Sequence, residues 1–470
     1  MSEKKKSKKT LSKSAFIRGQ QCLKSLYLYK NRYFLRDPIP YDQQLKFRRG
    51  HHIGELAHKL FPGGVNLSPG HPSRQKKAAE ETRIAIEQKT PVIYEAVFMT
   101  EEYVAIMDIL VLVGNEYHAW EVKSSLRISE TYINDISFQY FVMSAAGFKP
   151  EKAGIIYVNK DYVLEDDIDP DALFLKEDLT DEIRSRQNII AELAPESYNV
   201  MFADSSPEIE VGLHCFSPYP CEFYSHCHKK ILKSPLLKLA GLSTEEKYSL
   251  LNSETDQIEQ CHFEDDFLRK QCEVLSTGKS IFDDDLLAEL FEMVYTENPP
   301  LFMHILSVQK SLPEHKGDRP YMRKPYAAAL ADSSDEYYED FSMSDTPLKD
   351  LLSFITKNTN EQQIIILDDE ELLPDDLIEK LDDIGVELVN IHPWFLRGIW
   401  VSKDFSPDYS GKTIRNSVMK DRPRYFDRLA LLLDIDKGKI DDPANAGKNY
   451  VVENLRSLQG VFARLYEAFA

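Results

Sequence analysis

Three apolar runs between residues 91 and 125 limit the folds open to this chain more than any other feature. They read PVIYEAVFM, YVAIMDILVLV and EYHAWEVKSS. Their length and their β-branched and aromatic content predict consecutive strands, the last two joined by a turn at Gly114-Asn115. The next segment, SETYINDISFQYFVMSAAG, predicts a helix that ends at Gly147, and AGIIYVN predicts another buried strand. With a helix expected at residues 50–60, the order helix, three strands, helix, strand indicates an α/β core.

The rest of the chain predicts a tail, a connector and a second α/β region. Further helices are expected at 13–35, 73–89, across much of 160–210 and 231–295, and from about residue 448; further strands are expected at 301–308, 363–367 and 387–391. The predicted divisions are a basic tail at 1–12, a first domain at 13–230, a helical connector at 231–295 and a second domain at 296–470.

Charge is distributed unevenly along the 470 residues, whose net charge is -20. The first 50 residues hold 14 Lys and Arg against 3 Asp and Glu, a net of +11, which leaves -31 for the remainder. A polyanion such as DNA is therefore expected to bind near the N-terminal end. No run of eighteen apolar residues and no signal core is present, so we expect a cytoplasmic protein without a membrane partner.

The predicted hairpin carries charged residues within apolar strands. Glu121 and Lys123 are two residues apart and share one face of their strand, and Asp108 lies on the neighbouring strand. Burying such groups is costly unless they pair or bind something. Carboxylate oxygens suit a hard cation such as Mg²⁺, and a lysine beside them can stabilise negative charge on phosphorus. The alternative is an ordinary salt bridge on a strand pair that faces water.

Cysteines are clustered near residue 220. Cys215, Cys221 and Cys227 are separated by five residues each, which favours a metal loop over disulfides in a reducing compartment. Three ligands need a fourth, and Cys22 is the candidate. Cys261 and Cys272 lie in a region predicted to be helical and are interpreted as ordinary residues.

A histidine and a glutamine complete a family pattern around the hairpin. His58 follows Gly54 by four residues in GHHIGELAHKLFPGG, and Gln139 lies in the helix after the hairpin. With Asp108 and Glu121-Val122-Lys123, this set resembles the RecB-like branch of the PD-(D/E)XK nucleases over residues 13–230. The resemblance implies a restriction-endonuclease-like core (αβββαβ).

The same resemblance implies roles for individual residues. His58, Asp108, Glu121 and the backbone carbonyl of Val122 would bind Mg²⁺ or Mn²⁺, and Lys123 would act in catalysis together with the two acids. Gln139, with Tyr140 beside it, would contact the substrate. The chain departs from the family at Ala105, where glycine is frequent, and at Met143, where tyrosine is frequent. Glu95 on the first strand is either a further ligand or a structural residue.

The four cysteines are similar to those of iron–sulfur RecB-like nucleases. In those proteins one N-terminal and three C-terminal cysteines hold a 4Fe–4S cluster that joins the ends of the nuclease domain, which implies the same role for Cys22, Cys215, Cys221 and Cys227. Structural zinc is the less favoured occupant, supported by His214, His226 and His228.

The second half resembles a DnaQ-like exonuclease domain of the RNase H-like class, joined to such nucleases in an uncharacterised bacterial family. The resemblance rests on LFMHILSVQ and the following RPY. It places His304, Leu306 and Ser457 where metal-binding acids belong, and leaves Asp368 or Glu371 as a remnant. We therefore expect an inactive domain with a structural or protein-binding role.

These observations together predict a metal-dependent nuclease that hydrolyses DNA phosphodiester bonds, with a structural 4Fe–4S cluster. Two other functions stay open. One is a non-catalytic DNA-binding or scaffold protein of the same fold, and the other is a nuclease that acts on RNA.

Overall fold

The structure, a computed structural model, describes residues 10–252, 258, 263–294, 298–332, 335–360, 362–418 and 427–470. These residues form two compact units. Unit 1 contains the described residues up to Lys229 together with Ser311–Pro320, and unit 2 contains Lys230–Lys310 and Tyr321–Ala470. Most of the predicted basic tail, and Cys261, lie outside the described residues.

Unit 1 has a mixed sheet covered by helices. Its strands are β1 (Leu11–Ser12), β2 (Val65–Asn66), β3 (Val92–Met99), β4 (Tyr103–Val113), β5 (Glu116–Lys123), β6 (Lys152–Val158) and β7 (Phe174–Asp178). Its helices are α1 (Lys13–Gln21), α2 (Leu23–Asn31), α3 (Tyr41–Ala57), α4 (Gln75–Glu87), α5 (Glu130–Ala145), α6 (Pro170–Leu173), α7 (Thr180–Ser185), α8 (Gln187–Val200) and α9 (Tyr224–Cys227).

The sheet of unit 1 has the order β2-β3-β4-β5-β6-β7, and β1 pairs with β4. The strands β3, β4 and β5 are antiparallel neighbours, whereas β5 and β6 are parallel. A parallel pair requires a crossover, and α5 provides it. Helices α1, α5 and α8 pack on one side of the sheet, where the rings of Phe16 and Phe138 stack with centroids 4.4 Å apart.

The predicted strands and helix around the hairpin are confirmed as β3, β4, β5, α5 and β6. Gly114 has φ +63° in the hairpin turn, and Gly147 has φ +87° just after α5. Both positions lie in the left-handed region that glycine occupies without strain.

Other elements of unit 1 differ from the prediction. The helix expected at 13–35 is divided at Cys22, whose extended backbone (φ -166°, ψ 115°) ends α1 and precedes α2. The helix expected at 50–60 begins earlier, at Tyr41. Residues 174–178 form the edge strand β7 within a stretch expected to be mainly helical. Residues 311–320 also belong to this unit, where Leu164 exchanges backbone hydrogen bonds of 2.8 and 2.9 Å with Gly317 and Asp318.

Unit 2 also has a mixed sheet. Its strands are β8 (Ile281–Phe282), β9 (Leu301–Gln309), β10 (Arg323–Ala331), β11 (Glu336–Asp340), β12 (Ile364–Ile366), β13 (Leu388–Asn390) and β14 (Trp400–Val401). Its helices are α10 (Thr244–Asn252), α11 (Asp266–Thr277), α12 (Asp284–Val294), α13 (Pro347–Asn358), α14 (Leu377–Asp383), α15 (His392–Arg397), α16 (Gly411–Val418), α17 (Arg428–Asp436) and α18 (Pro443–Phe469).

The main sheet of unit 2 has the order β11-β10-β9-β12-β13. The first three strands are antiparallel neighbours, and β9, β12 and β13 run parallel. The three strands expected here are confirmed as β9, β12 and β13, and the final helix begins at Pro443. The strands β10 and β11 were not expected. Among the described residues, no helix is long and apolar enough to span a membrane.

Candidate active site

The strands β4 and β5 of the predicted hairpin separate from each other where Asp108 and Glu121 lie. Ladder pairing between β4 and β5 stops at Ile109 and Trp120. Beyond this pair β5 continues beside β6, and β4 pairs with β1 instead. Asp108 lies at the point of separation, where its Oδ2 accepts the Val122 backbone N–H at 2.6 Å. The side chain of Asp108 therefore replaces a strand-to-strand hydrogen bond and is fixed beside the backbone between Glu121 and Lys123.

Glu121 is the most buried acid of this region, with 1% of its surface exposed. Its Oε1 accepts from Lys13 Nζ at 2.5 Å and from Lys123 Nζ at 2.9 Å, and its Oε2 accepts from Gln139 Nε2 at 2.7 Å. Burial favours the protonated carboxyl, but the charges of Lys123 and Lys13 outweigh burial and lower the pKa of Glu121. Glu121 is thus ionised and held on both oxygens.

The pKa values of Asp108 and Glu95 are raised, in contrast to the lowered pKa of Glu121. Burial, followed by the charge of Glu121, raises the pKa of Asp108 to about 8. Burial and the charge of Glu121 also raise the pKa of Glu95. Both carboxyls therefore lie in a place where negative charge is insufficiently balanced by the protein. A bound cation would stabilise their ionised forms.

Glu95 has an unusual backbone conformation. Its φ is +55° in the middle of β3, between the paired residues Tyr94 and Ala96. The partners of those residues in β4 are Ile109 and Met107, so Glu95 lies level with Asp108 in the sheet. A left-handed conformation costs a non-glycine residue roughly 1–2 kcal/mol, and such strain concentrates at functional sites.

Lys123 joins Glu121 to a further acid. Its Nζ lies 2.5 Å from Asp135 Oδ2 on α5 and 4.8 Å from the centroid of the Tyr132 ring. Burial opposes the ammonium, but Glu121 and Asp135 outweigh burial and raise the pKa of Lys123. Lys123 is therefore held as a cation, which suits it to electrostatic stabilisation and not to accepting a proton. We name Glu95, Asp108, Glu121 and Asp135, with Lys13 and Lys123, the acid cluster.

Lys13 is a member of the acid cluster that sequence reasoning missed. It is the first residue of α1, which Ser12 caps by accepting the Ala15 N–H, and the preceding Leu11 is buried and pairs with Tyr103 of β4. The pairing of β1 with β4 brings Lys13 to Glu121 across 108 positions of sequence. No local pattern marks a contact of this kind.

His58 is not brought to the acids in this structure. The rings of His58 and Tyr94 stack with centroids 4.0 Å apart. Burial lowers the pKa of His58, and Glu55 is the acid whose charge opposes this shift. His51, two turns earlier in α3, is the histidine whose charge acts on Glu95. The repeated histidines in GHHIG were the available signal for this residue.

The two residues expected to contact substrate are both buried. Gln139 is fully buried and orients Glu121, and its Oε1 has no hydrogen-bond partner among the described residues. Tyr140 is 5% exposed within the apolar core, and its hydroxyl accepts from Arg184 Nε at 3.4 Å. Gln139 therefore supports the acid cluster, and Tyr140 supports the packing of α5.

Within the described residues, no three His, Cys, Asp or Glu side chains already converge closely enough to share one metal ion. In the acid cluster the ammonium of Lys13 contacts Glu121, and the charges of Glu121, Asp108 and Asp135 act on it. The oxygens that remain for a cation are those of Asp108 and Glu95, with the carbonyl of Val122 between Glu121 and Lys123.

The four predicted cysteine ligands line one pocket, which we name the cysteine pocket: Cys22, Cys215, Cys221 and Cys227. All are free thiols. Burial raises the pKa of Cys22 and Cys215, and raises the pKa of Cys227 to about 11. The thiols of Cys22, Cys215 and Cys227 are thus neutral in this environment, and a metal cation would stabilise their thiolates.

Hydrogen bonds fix the corner between α1 and α2 to the cysteine loop. Gln21 Nε2 donates to the carbonyls of His214 and Tyr219 at 2.7 and 2.6 Å. Arg18 forms an ion pair with Glu222, and the Cys221 N–H donates to the Cys215 carbonyl at 2.8 Å. The predicted meeting of Cys22 with the distant cysteines is therefore supported by polar contacts on both sides of the pocket.

Of the residues that the sequence analysis placed at metal-binding positions in the second half, four are buried and Glu371 is exposed. His304 and Leu306 are buried on β9, Ser457 Oγ donates to the Glu453 carbonyl at 2.8 Å, and Glu371 is exposed. Asp368, just after β12, is buried.

Asp368 lies between a histidine and an arginine. His304 Nδ1 is 3.8 Å from its Oδ2, and Arg415 Nη2 is 3.8 Å from its Oδ1. Arg415 is 2% exposed, donates from Nε to Asn454 Oδ1 at 3.1 Å, and also bonds the Leu367 carbonyl. Burial, and then Arg415, lower the pKa of His304 well below its usual value, so this imidazole is neutral. We name His304, Asp368, Arg415 and Asn454 the polar core of unit 2.

Comparison with models of protein families gives no match for this chain, and comparison with curated proteins gives none either. Function is therefore inferred from the residues of the site.

Proposed function

We propose that unit 1 is a metal-dependent nuclease of the RecB-like PD-(D/E)XK type that hydrolyses DNA phosphodiester bonds. The observation that carries the proposal is that β4 and β5 separate at Asp108 and Glu121, with Lys123 two residues after Glu121 on the same face of β5. The order of three antiparallel strands, a crossover helix and a parallel strand supports a restriction-endonuclease-like core.

The donor set fits a hard divalent cation. Asp108 and Glu95 offer carboxylate oxygens and Val122 offers a carbonyl, which are the ligands that Mg²⁺ and Mn²⁺ take. Glu121 would join them once the cation displaces the Lys13 ammonium from its Oε1. The raised pKa values of Asp108 and Glu95 support a cation at this position. When bound, such an ion activates water and offsets negative charge on phosphate.

The protein's own groups have separate tasks in this proposal. Gln139 and Lys13 hold both oxygens of Glu121, so the carboxylate keeps one orientation. Asp108 is fixed by the Val122 N–H. The ammonium of Lys123, steadied by Asp135, offers positive charge to a phosphate that approaches the cluster.

Cleavage assays on a Glu121→Gln variant test the nuclease proposal. Labelled DNA and RNA, each single- and double-stranded, are incubated with Mg²⁺ or Mn²⁺. Glu116→Gln is the matched control, because Glu116 lies exposed on the same strand. We expect DNA cleavage by the wild type and the control, and a loss of about 100-fold or more for Glu121→Gln. Equal cleavage by Glu121→Gln contradicts the proposal. Cleavage of RNA alone supports the RNA nuclease, and binding without cleavage supports a scaffold.

We further propose that the cysteine pocket holds a 4Fe–4S cluster. In such a cluster each thiolate binds a different iron, so the four sulfurs need to surround a pocket and not to meet at one point. A zinc ion would draw all four to about 2.3 Å. Protein purified without oxygen should be brown, with about four irons and four sulfides per chain. One zinc per colourless chain would favour the alternative.

We also propose that unit 2 is an RNase H-like domain of the DnaQ type without exonuclease activity. The strand order β11-β10-β9-β12-β13, with three antiparallel strands followed by parallel ones, supports the fold. Arg415 lies where a metal would otherwise balance Asp368. A structural or protein-binding role is what remains.

A further inference from the structure

Ser25 is a buried polar residue in the wall of the cysteine pocket. It lies in the first turn of α2, is 4% exposed and lines the pocket together with Cys22 and Cys221. Its Oγ lies 3.2 Å from Arg18 Nη1 and 3.6 Å from Cys221 Sγ. A buried hydroxyl needs hydrogen-bond partners, and one of the two partners here is a sulfur that would bind the metal.

The two contacts of Ser25 Oγ have different directions. A guanidinium only donates hydrogen bonds, so Ser25 Oγ accepts from Arg18. The hydroxyl hydrogen is then available for Cys221 Sγ. A neutral Cys221 thiol can donate to Ser25 Oγ, but a metal-bound thiolate carries no hydrogen and can only accept. Loss of the thiol proton therefore reverses this bond, and Ser25 becomes the donor.

Arg18 fixes the orientation of the Ser25 hydroxyl. Its guanidinium forms an ion pair with Glu222, the residue after Cys221, and lies 4.4 Å from the centroid of the Tyr29 ring. The lone pair of Ser25 Oγ that faces Arg18 is therefore occupied. Because Glu222 balances the charge of Arg18, the effect on the Cys221 sulfur comes from the hydroxyl and not from an unbalanced cation.

The backbone of Ser25 acts on a second sulfur. Cys22 is the residue before α2, and burial raises the pKa of its thiol. The N–H groups of Ser25 and Lys24, at the N-terminus of α2, oppose this shift. Ser25 thus provides one polar hydrogen for Cys22 and another for Cys221, although Ser25 and Cys221 are 196 positions apart in the sequence.

We propose that Ser25 is a positioning residue of the metal centre in the cysteine pocket, and that its hydroxyl donates to the Cys221 thiolate when the metal is bound. A hydrogen bond of this kind holds the ligand in place and withdraws charge from the sulfur, which raises the reduction potential of an iron–sulfur cluster. The inference rests on the proposed metal centre and adds a residue that sets its stability and its potential.

The first test is the release of metal from full-length protein purified without oxygen. Wild type, Ser25→Ala and Ser197→Ala, matched for folding by circular dichroism, are mixed with bathophenanthroline for iron or pyridylazoresorcinol for zinc. We expect Ser25→Ala to release metal about 10-fold faster than the wild type, because a partner of a ligand is lost. Folded Ser25→Ala without metal, where the wild type holds iron, is the limiting case of faster release.

Ser197→Ala is the matched control, because it also removes a buried hydroxyl of unit 1. Ser197 is 1% exposed on α8, and its Oγ has no hydrogen-bond partner among the described residues. Its removal leaves the sulfurs of the cysteine pocket unaffected. Release from Ser197→Ala should therefore equal release from the wild type.

The reduction potential separates this role of Ser25 from general support of the fold. Dithionite donates one electron to the cluster, and electron paramagnetic resonance gives the ratio of reduced to oxidised protein at each potential. Ser25→Ala should lower this ratio about 10-fold at a given potential, a shift of about 59 mV for a one-electron couple. A serine that only supports the packing of α2 would leave the potential unchanged.

The outcomes separate this inference from the cluster proposal. Iron in all three proteins, with equal release and equal potential, overturns the role of Ser25 and leaves the cluster proposal standing. Zinc that is released faster from Ser25→Ala supports the hydrogen bond and overturns the cluster. Full-length wild type that contains neither metal overturns both.

Discussion

The acid cluster of unit 1 and the polar core of unit 2 both bury carboxyl groups near the ends of sheet strands, but they differ in how charge is balanced. The acid cluster has two more acids than lysines. Burial raises the pKa of Asp368 as it raises that of Asp108, so the contrast lies in the number of cations and not in the direction of the pKa shift. In the polar core, Asp368 has Arg415 at 3.8 Å and a neutral His304 beside it. The excess of negative charge in the acid cluster favours binding of a divalent cation. In the polar core the guanidinium of Arg415 offsets the negative charge, so a cation is not favoured there. Whether a buried group of acids can bind a metal ion therefore depends more on the number of Lys and Arg side chains beside it than on the number of acids.

The strongest way to break this comparison is to remove one acid from each site. Asp108→Asn should lower metal-dependent cleavage by roughly 1000-fold, because a ligand and its charge are lost. Asp368→Asn should leave cleavage within about twofold, because Arg415 already occupies that position. Initial rates on labelled DNA, at matched folded protein by circular dichroism, measure both. Similar losses from the two variants would show that unit 2 contributes to catalysis.

Removing Arg415 tests the same comparison through the stability of unit 2. Arg415→Met leaves Asp368 and the Leu367 carbonyl without their buried partner, which should lower the free energy of unfolding of unit 2 by about 3 kcal/mol. Arg456→Met is the control, since Arg456 is half-exposed and its ion pairs are worth about 1 kcal/mol or less. Chemical denaturation followed by tryptophan fluorescence reports the change. Equal effects would mean that Arg415 is not the group that balances Asp368.

The smallest of these effects concerns the lysine among the acids of unit 1. Lys13→Met removes an ammonium 2.5 Å from Glu121 Oε1, so a divalent cation no longer competes with it. We expect Mn²⁺ to bind about 10-fold more tightly, as judged by calorimetry without nucleic acid. Lys59→Met, at an exposed position after α3, should not change the affinity. Weaker binding in Lys13→Met would show that Lys13 organises the acids for the metal and does not compete with it.

Local patterns allowed much of unit 1 to be predicted. Apolar runs and turn residues located β4, β5 and α5, and strand geometry predicted that Asp108, Glu121 and Lys123 lie together, as they do. The spacing of Cys215, Cys221 and Cys227 predicted a metal loop, which stays a prediction, and the structure places these residues and Cys22 around one pocket. These features depend on residues close in sequence or on side-chain types that rarely cluster without a reason.

What could not be predicted depends on pairing between distant segments. Lys13 joins the acid cluster because β1 pairs with β4, which no period in the sequence encodes. Glu95 was a candidate from sequence, and the pairing of β3 with β4 places it level with Asp108. The strand β10 contains RKPYAAALA, and alanine has little preference for strands, so its place between β9 and β11 decides its conformation. His58 fits a family spacing, but stacking on Tyr94 gives it a different neighbour.

The left-handed backbone conformation of Glu95 implies that thermal stability and catalytic activity oppose each other at this position. A glycine adopts φ +55° without strain, so Glu95→Gly should raise the thermal midpoint of unit 1 by an amount equivalent to about 1 kcal/mol. The same change removes a carboxylate beside Asp108, so the more heat-resistant protein should be the poorer catalyst. Natural sequences usually retain such local instability only where activity depends on it. A variant library selected for thermal resistance alone should therefore lose the glutamate at this position early.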